Sequence, residues 1–217
     1  MNPLRWLLDL LYPPKCPFCG RVLERGEEGW CSLCQEELPW TRAGEEKAVG
    51  GCDVCLSPVW YRDAARDGVH RYKFHGGQSH ARPFGTLMAQ CLNDRWDKPV
   101  DLVTWAPLHP RRKRKRGYDQ AELLARVLAS ELDKPAVPAL RKARDTVEQS
   151  SLDDEAARAQ NAAGAYEIAD RLAVQGKRVL LVDDIVTSGS TLSNCAQILL
   201  DAGANEVWTA VFARARE

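Results

Sequence analysis

The stretch Val179-Leu-Leu-Val-Asp-Asp-Ile-Val-Thr-Ser-Gly-Ser-Thr191 decides the fold. It begins with four apolar residues, which is typical of a parallel strand covered on both faces. Two adjacent carboxylates, Asp183 and Asp184, follow at the end of this predicted strand. Apolar residues then recur with helical spacing over residues 191–202, and Gly203 supplies a natural C-terminal stop. The stretch therefore predicts a strand, a short polar loop and a helix.

The loop between this strand and helix has the composition of a phosphate site. The first backbone N–H groups of a helix attract anions, and Gly189 lets the backbone approach a ligand closely. Hydroxyl groups supply further donors at Thr187, Ser188, Ser190 and Thr191. Asp183 and Asp184 suit two ribose hydroxyls, or a Mg²⁺ bound to them. The ordinary alternative is a strand–turn–helix unit whose acids only cap or solvate the turn.

This order of residues resembles the phosphoribosyl pyrophosphate (PRPP) loop of type I phosphoribosyltransferases. That loop has an apolar strand, Asp/Glu-Asp, two small residues, and then Thr-Thr/Ser-Gly-x-Thr. The resemblance implies that Asp183 and Asp184 hold the ribose hydroxyls and help to place Mg²⁺. It also implies that residues 187–191 bind the 5-phosphate of PRPP.

Composition limits the remaining possibilities. The chain has 217 residues, 45% of them hydrophobic, which suits one α/β domain with a small appendage. Its formal net charge of zero argues against a general nucleic-acid coat protein but leaves a local basic patch open. No apolar run approaches the ~20 residues of a transmembrane helix, and the segment 5–11 is too short for a secretory signal. We therefore expect a cytoplasmic protein without membrane insertion.

Cysteine spacing predicts a metal site near the amino terminus. Six of the eight cysteines form Cys-x-x-Cys pairs before residue 56, which is metal spacing in a reducing compartment. The first two pairs, Cys16 with Cys19 and Cys31 with Cys34, predict a closed tetrahedral zinc site of structural type. The metal would supply much of the stability of so small a module. Two redox-active dithiols are the alternative.

The third pair, Cys52 and Cys55, has no obvious fourth pair. Three interpretations are open: free thiols in a small core, a site completed by another group, and exchange of ligands with the first site. Cys91 and Cys195 fall within predicted helices, and we expect both to be small buried apolar residues.

From about residue 60 the sequence alternates helices and strands. Strands are predicted at 100–108 and 206–212, a helix at 81–96, and a second helix capped by Asp119. Such alternation predicts a parallel sheet flanked by helices, with ligands at the carboxyl ends of its strands. We predict an N-terminal helix and zinc module at 1–59 and a transferase-like domain at 60–217.

Six consecutive cations, Arg111-Arg-Lys-Arg-Lys-Arg116, follow the predicted strand at 100–108. A solvated loop, a nucleic-acid patch and a clamp for pyrophosphate are all compatible with this composition. We place the run in a loop between Pro107 and Gly117. One or two cations suffice for pyrophosphate, and the candidates are Arg116, next to Gly117, and Arg111, near the strand end.

Together these motifs resemble the ComF family over nearly the whole chain. The family pattern has paired Cys-x-x-Cys knuckles and a Tyr…Lys-Phe segment, matched by Tyr61…Lys73-Phe74. Its Pro-x-Pro-Leu, basic run and Arg-Gly-Phe-Asn-Gln correspond to residues 106–120. A polar hood is predicted at residues 144–161, where positions between 149 and 161 match the family pattern; an ordinary exposed connection is the alternative. The fourth cysteine pair of many members is missing, which argues against a second zinc.

The resemblance implies a Mg²⁺-dependent phosphoribosyltransferase that binds PRPP, transfers phosphoribosyl to an unknown acceptor and releases pyrophosphate. The family is often linked to DNA uptake and competence in bacteria. The alternative hypothesis is a non-catalytic DNA-processing or single-stranded-DNA-binding factor that uses the fold as a scaffold or a PRPP sensor. In that case the tryptophans at 30, 40 and 60 offer surfaces on which bases could stack.

Overall fold

The computed structural model describes residues 13–49, 52–74, 77–145 and 164–215. The predicted N-terminal helix lies outside these residues. So does nearly all of the predicted hood, of which only residues 144 and 145 are described.

A six-stranded sheet forms the centre of the described part of the chain. Numbered in chain order, the strands of the described residues are β1 (Lys47–Val49), β2 (Cys52–Leu56), β3 (Val59–Trp60), β4 (Leu102–Trp105), β5 (Leu140–Lys142), β6 (Tyr166–Ile168), β7 (Arg178–Val186) and β8 (Glu206–Arg214). The order across the sheet is β1-β2-β8-β7-β4, with β3 also paired to β8. Every pairing in it is parallel except that of β1 with β2. β5 and β6 form a separate antiparallel pair.

Helices cover both faces of this sheet. They are α1 (Ser32–Glu37), α2 (Asp63–Phe74), α3 (Ala81–Arg95), α4 (Pro110–Arg116), α5 (Gln120–Glu131), α6 (Arg171–Val174) and α7 (Ser190–Asp201). Successive residues of β7 point to opposite faces: Leu180 joins the core formed with α3 and α5, and Leu181 joins the core formed with α7. Both are fully buried. The predicted parallel sheet flanked by helices is therefore confirmed.

Local signals for helix ends are also confirmed. The Asp119 carboxylate accepts a hydrogen bond from the backbone N–H of Glu122 and caps α5. Gly203, after α7, has φ of +100°, in the left-handed region that glycine adopts at low cost. Cys91 and Cys195, at 6% and 0% exposure, are buried as predicted.

The basic run differs from its prediction, because it forms the seven-residue helix α4 and not a loop. His109 caps this helix by accepting a hydrogen bond from the backbone N–H of Arg111, and Pro110 occupies its first turn. Gly117, with φ of +87°, ends it. Proline at the start and glycine at the end are the normal boundaries of a helix, and arginine and lysine are good helix formers. The run lacks apolar periodicity, so only its end signals reveal the helix.

Strands from the amino-terminal part of the chain belong to the main sheet. Leu56 of β2 pairs with Ala210 of β8, and Val59 of β3 pairs with Ala213. The predicted boundary between residues 59 and 60 thus falls inside the sheet, and the division into two domains stays a prediction.

Candidate functional site

The cysteines of the first two pairs converge on one point. The Sγ atoms of Cys16, Cys19, Cys31 and Cys34 all lie within 4.8 Å of one another, and those of Cys19 and Cys31 are 3.7 Å apart. A tetrahedral zinc ion with Zn–S bonds of about 2.3 Å needs sulfurs roughly 3.8 Å apart. The four thiol groups therefore fit a closed structural zinc site. All but Cys19 are buried.

Electrostatics around this cluster favour thiolate formation at one ligand. Burial opposes ionisation of Cys31, but the Arg21 guanidinium and the backbone N–H of Cys34 outweigh it and lower the thiol pKa to about 6. Burial and the neighbouring Cys31 raise the pKa of Cys34 instead. A bound cation would stabilise all four thiolates together.

The zinc cluster is joined to helix α2. The Arg71 guanidinium donates hydrogen bonds to the carbonyl oxygens of Pro17 and Phe18, inside the first Cys-x-x-Cys knuckle. Gly68, one turn earlier in α2, lies so close that a Cβ there would stand 3.0 Å from the Phe18 ring. Phe18 itself stacks on Phe84 of α3 at a ring separation of 5.4 Å. The knuckle therefore holds α2 in place.

A cavity of about 340 Å³ opens at the carboxyl ends of β4 and β7. β4 ends at Trp105, which pairs with Val182, while β7 continues to Val186. Asp183 and Asp184 consequently lie within β7, and not after it as predicted. They belong to the part of β7 that extends beyond the end of β4, and both residues line the cavity there.

Most of the predicted ligand-binding residues meet at this cavity, namely Arg116, Asp183, Asp184, Thr187, Gly189 and Thr191. The hydroxyls of Ser188 and Ser190 are instead 3.1 Å apart and bond to each other. Arg111 is exposed and lies outside the cavity lining. Because α4 is a helix, residues four apart share a face, so Arg112 joins Arg116 at the cavity. The Arg112 guanidinium also forms an ion pair with Asp145, at 3.4 Å.

The amino-terminal end of α7 faces the cavity without a capping side chain. Gly189 is its N-cap residue, with φ of +79°, and makes no side-chain hydrogen bond to the first turn. Backbone N–H groups of a first helical turn have no partner inside the helix. With Thr187 and Thr191 beside them, these groups can bind a phosphate.

The two carboxylates have different surroundings. The Asp184 side chain is 6% exposed, and its Oδ2 lies 3.1 Å from the Lys73 ammonium. The alignment is poor for hydrogen bonding, so this buried oxygen has an ion pair but no hydrogen bond among the described residues. Asp183 accepts a hydrogen bond from the backbone N–H of Asp184. Enclosure by the protein and the charge of Asp184 raise the pKa of Asp183 well above its usual range, against the opposing effect of Lys73.

Comparison with known proteins agrees with this architecture. The chain matches the family models of a phosphoribosyl transferase domain at residues 118–217 and a double zinc ribbon domain at residues 7–67. DNA utilization protein YhgH of Escherichia coli O157:H7 is 30% identical over 223 residues, which cover 92% of this chain and 97% of that protein. Competence protein F of Haemophilus influenzae is 28% identical, covering 93% and 97%. Competence protein ComFC of Streptococcus pneumoniae is 25% identical, covering 89% and 84%.

The chain belongs to the ComF family. Its fold is that of a type I phosphoribosyltransferase, with an N-terminal double zinc ribbon. The ribbon match and the cysteine cluster together support structural zinc in this ComF protein. Within the described ranges, no helix is both long and apolar enough to cross a membrane.

Several residues at the cavity of the ComF protein were not predicted as ligands from its sequence. Lys73 and Phe74 entered only through the family pattern, and Arg112 was passed over for Arg111. Tyr166 of β6 also lines the cavity, and its hydroxyl accepts a hydrogen bond from the Lys142 amine at 3.2 Å. The end signals of α4, Pro110 and Gly117, could have identified the helix and with it Arg112, four residues before Arg116. Nothing in the local sequence marks Lys73 or Tyr166.

We expect about one zinc ion per chain, since four thiolates complete one tetrahedral site. Metal analysis of protein purified without chelator measures this ratio. A double change, Cys31→Ser with Cys34→Ser, should remove the zinc and lower the melting temperature, whereas Cys91→Ala should retain the metal. Protein without zinc would contradict the assignment. Two ions per chain would mean that Cys52 and Cys55 take part in a second site.

Proposed function

We propose that this ComF protein binds PRPP with Mg²⁺ and transfers its phosphoribosyl group to an acceptor, releasing pyrophosphate. One observation carries the proposal: an uncapped helix N-terminus, two adjacent carboxylates and two arginines line one cavity. PRPP has a phosphate, two ribose hydroxyls and a pyrophosphate, so each part of the ligand has a chemically matching partner. The match of residues 118–217 to the phosphoribosyl transferase domain supports the same conclusion.

In this proposal the 5-phosphate binds at the N-terminus of α7, over residues 187–191. Asp183 and Asp184 accept hydrogen bonds from the ribose hydroxyls. Arg116 binds the pyrophosphate, and Arg112 takes the role predicted for Arg111, because it shares the cavity face of α4 with Arg116. Planar guanidinium groups suit phosphate oxygens, since they can donate two parallel hydrogen bonds.

The residues present also fit Mg²⁺. Carboxylate oxygens are its preferred protein ligands, and Asp184 Oδ2 is a buried oxygen without a hydrogen bond among the described residues. When bound, the ion would neutralise part of the charge of the pyrophosphate. The protein's own contribution is positioning and charge. As the bond from C1 to pyrophosphate breaks, the ribose gains oxocarbenium character, and the two arginines stabilise the negative charge on the leaving oxygen.

Turnover is tested by incubating the protein with labelled PRPP, Mg²⁺ and a panel of nucleobases and amines, and measuring pyrophosphate release. We expect release with at least one acceptor. The double variant Asp183→Asn with Asp184→Asn should release none and bind PRPP about 100-fold or more weakly in calorimetry, because it lacks both carboxylates that would accept hydrogen bonds from the ribose. Asp94→Asn, on the exposed surface of α3, is the matched control. Unchanged PRPP affinity in the double variant would refute the site.

Arg116 and Arg111 provide a second matched comparison. We expect Arg116→Ala to weaken PRPP binding about 10- to 100-fold, the range for removal of a charged hydrogen bond, with little change for ribose 5-phosphate. Only PRPP carries pyrophosphate. Arg111→Ala should change neither affinity by more than about twofold, as expected for an exposed residue outside the site. Equal reductions for both ligands in Arg116→Ala would contradict a pyrophosphate role.

A second candidate function has its own observation. Arg111, Arg114 and Lys115 lie at i, i+3 and i+4 on α4 and are all exposed, while Arg112 and Arg116 face the cavity. Two separate basic faces on one helix suit two anionic ligands. Relatives of the chain carry the names DNA utilization protein and competence protein. These observations support the binding of single-stranded DNA by the outer face of α4. The protein would then handle DNA with or without PRPP turnover.

Charge removal on the outer face tests this role. We expect a triple change of Arg111, Arg114 and Lys115 to glutamine to weaken oligonucleotide binding and to flatten its salt dependence. The slope of log affinity against log salt should fall by roughly 0.7 for each phosphate that the variant no longer neutralises. PRPP affinity should stay within about twofold of wild type, as expected for exposed residues outside that site. Unaltered DNA affinity and salt slope in the triple variant would exclude the outer face as the DNA site.

A further inference from the structure

Lys73 is a partly buried cation in the wall of the cavity. It lies in the last turn of α2, where its ammonium is 3.1 Å from Asp184 Oδ2. Its side chain is 22% exposed, and that of Asp184 is 6% exposed. Both residues line the cavity, together with Arg116. The lysine therefore stands within the proposed PRPP site and not on the outer surface of the protein.

The backbone around Lys73 is held on both sides. The Tyr72 hydroxyl donates a hydrogen bond to the carbonyl oxygen of Gln120, at 2.7 Å, and the Tyr118 hydroxyl donates to the carbonyl oxygen of Tyr72. On the other side, the guanidinium of Arg116 lies 5.2 Å from the centre of the Phe74 ring. These contacts tie the end of α2 to α4 and α5. The ammonium is thus presented from a fixed helix end, unlike that of a mobile surface lysine.

The negative charge concentrated at Asp183 and Asp184 explains why a cation is stabilising at the position of Lys73. Asp183 and Asp184 are adjacent and share one recess, and the buried Asp119 adds to the negative potential at Asp183. Removing carboxylates from water is costly unless an opposite charge lies close by. Lys73 supplies that charge at 3.1 Å from Asp184 Oδ2, which makes no hydrogen bond among the described residues. The ion pair therefore compensates charge without filling the site.

We propose that Lys73 is a resident cation of the PRPP site, which offsets the negative charge of the aspartates and makes PRPP binding only partly dependent on Mg²⁺. The inference rests on the function proposed above. A protein ammonium beside Asp184 offsets carboxylate charge that would otherwise repel the phosphates of PRPP, whether or not a metal is bound. If Lys73 is neutralised, more of that compensation must come from Mg²⁺. Lys73 is in this sense a positioning residue for both the aspartate and the ligand.

Calorimetry of PRPP binding with excess Mg²⁺ and with EDTA tests the idea, because the ratio of the two dissociation constants measures metal dependence. We expect a ratio below about tenfold for wild type and at least about tenfold larger for Lys73→Met, equivalent to removal of one charge-assisted interaction. Lys73→Arg, which keeps the charge, should restore most of the EDTA affinity. Lys177→Met, at an exposed lysine, is the matched control and should behave as wild type.

Melting temperatures of all variants show whether they fold, and Lys73→Gln replaces Lys73→Met if the latter does not. Equal ratios in wild type and in the neutral Lys73 variants would overturn the inference, as would binding by wild type only in the presence of Mg²⁺. Those outcomes leave PRPP binding intact. Wild-type protein that binds PRPP under neither condition would instead refute the proposed function.

Discussion

The two adjacent carboxylates that line the cavity, those of Asp183 and Asp184, impose the main constraint on this molecule. Asp183 and Asp184 need positive charge nearby, because their charges repel and the surrounding protein excludes water. The structure meets this need with cations from elements distant in sequence. Lys73 comes from the end of α2, and Arg112 and Arg116 come from one face of α4. The uncapped N-terminus of α7 adds a further region of positive potential.

The zinc ribbon takes part in this arrangement through α2. Arg71 hydrogen bonds to carbonyl oxygens of the first knuckle, two residues before Lys73. Phe18, between the first two cysteines, stacks on Phe84 and Phe212 of the central core. The end of α2 holds the Lys73 ammonium beside Asp184. It is thereby fixed by the metal-binding module on one side and by the sheet on the other. This gives a physical reason for joining a zinc ribbon to this fold.

Local patterns predicted the parts of the site that are contiguous in sequence. The local sequence predicted β7, α7 and the loop between them, because the apolar run, the glycine and the hydroxyls all fall within one short stretch. Cysteine spacing likewise identified the thiols that converge, and Asp119 was found as a helix cap. The helical state of the basic run was missed, because like charges have no apolar periodicity. Because of that error, Arg111 was predicted to bind pyrophosphate, whereas Arg112 is the residue that lines the cavity. Lys73 and Tyr166 reach the cavity only through tertiary packing, which no local pattern encodes.

A crystal structure of the protein with PRPP and no acceptor would show whether Asp183–Thr191 and the inner face of α4 form a PRPP site. If they do, the 5-phosphate lies against the backbone N–H groups at the start of α7, and the pyrophosphate is within hydrogen-bond reach of Arg116. PRPP bound elsewhere, or bound in this cavity with its two ends exchanged, would contradict the proposed site.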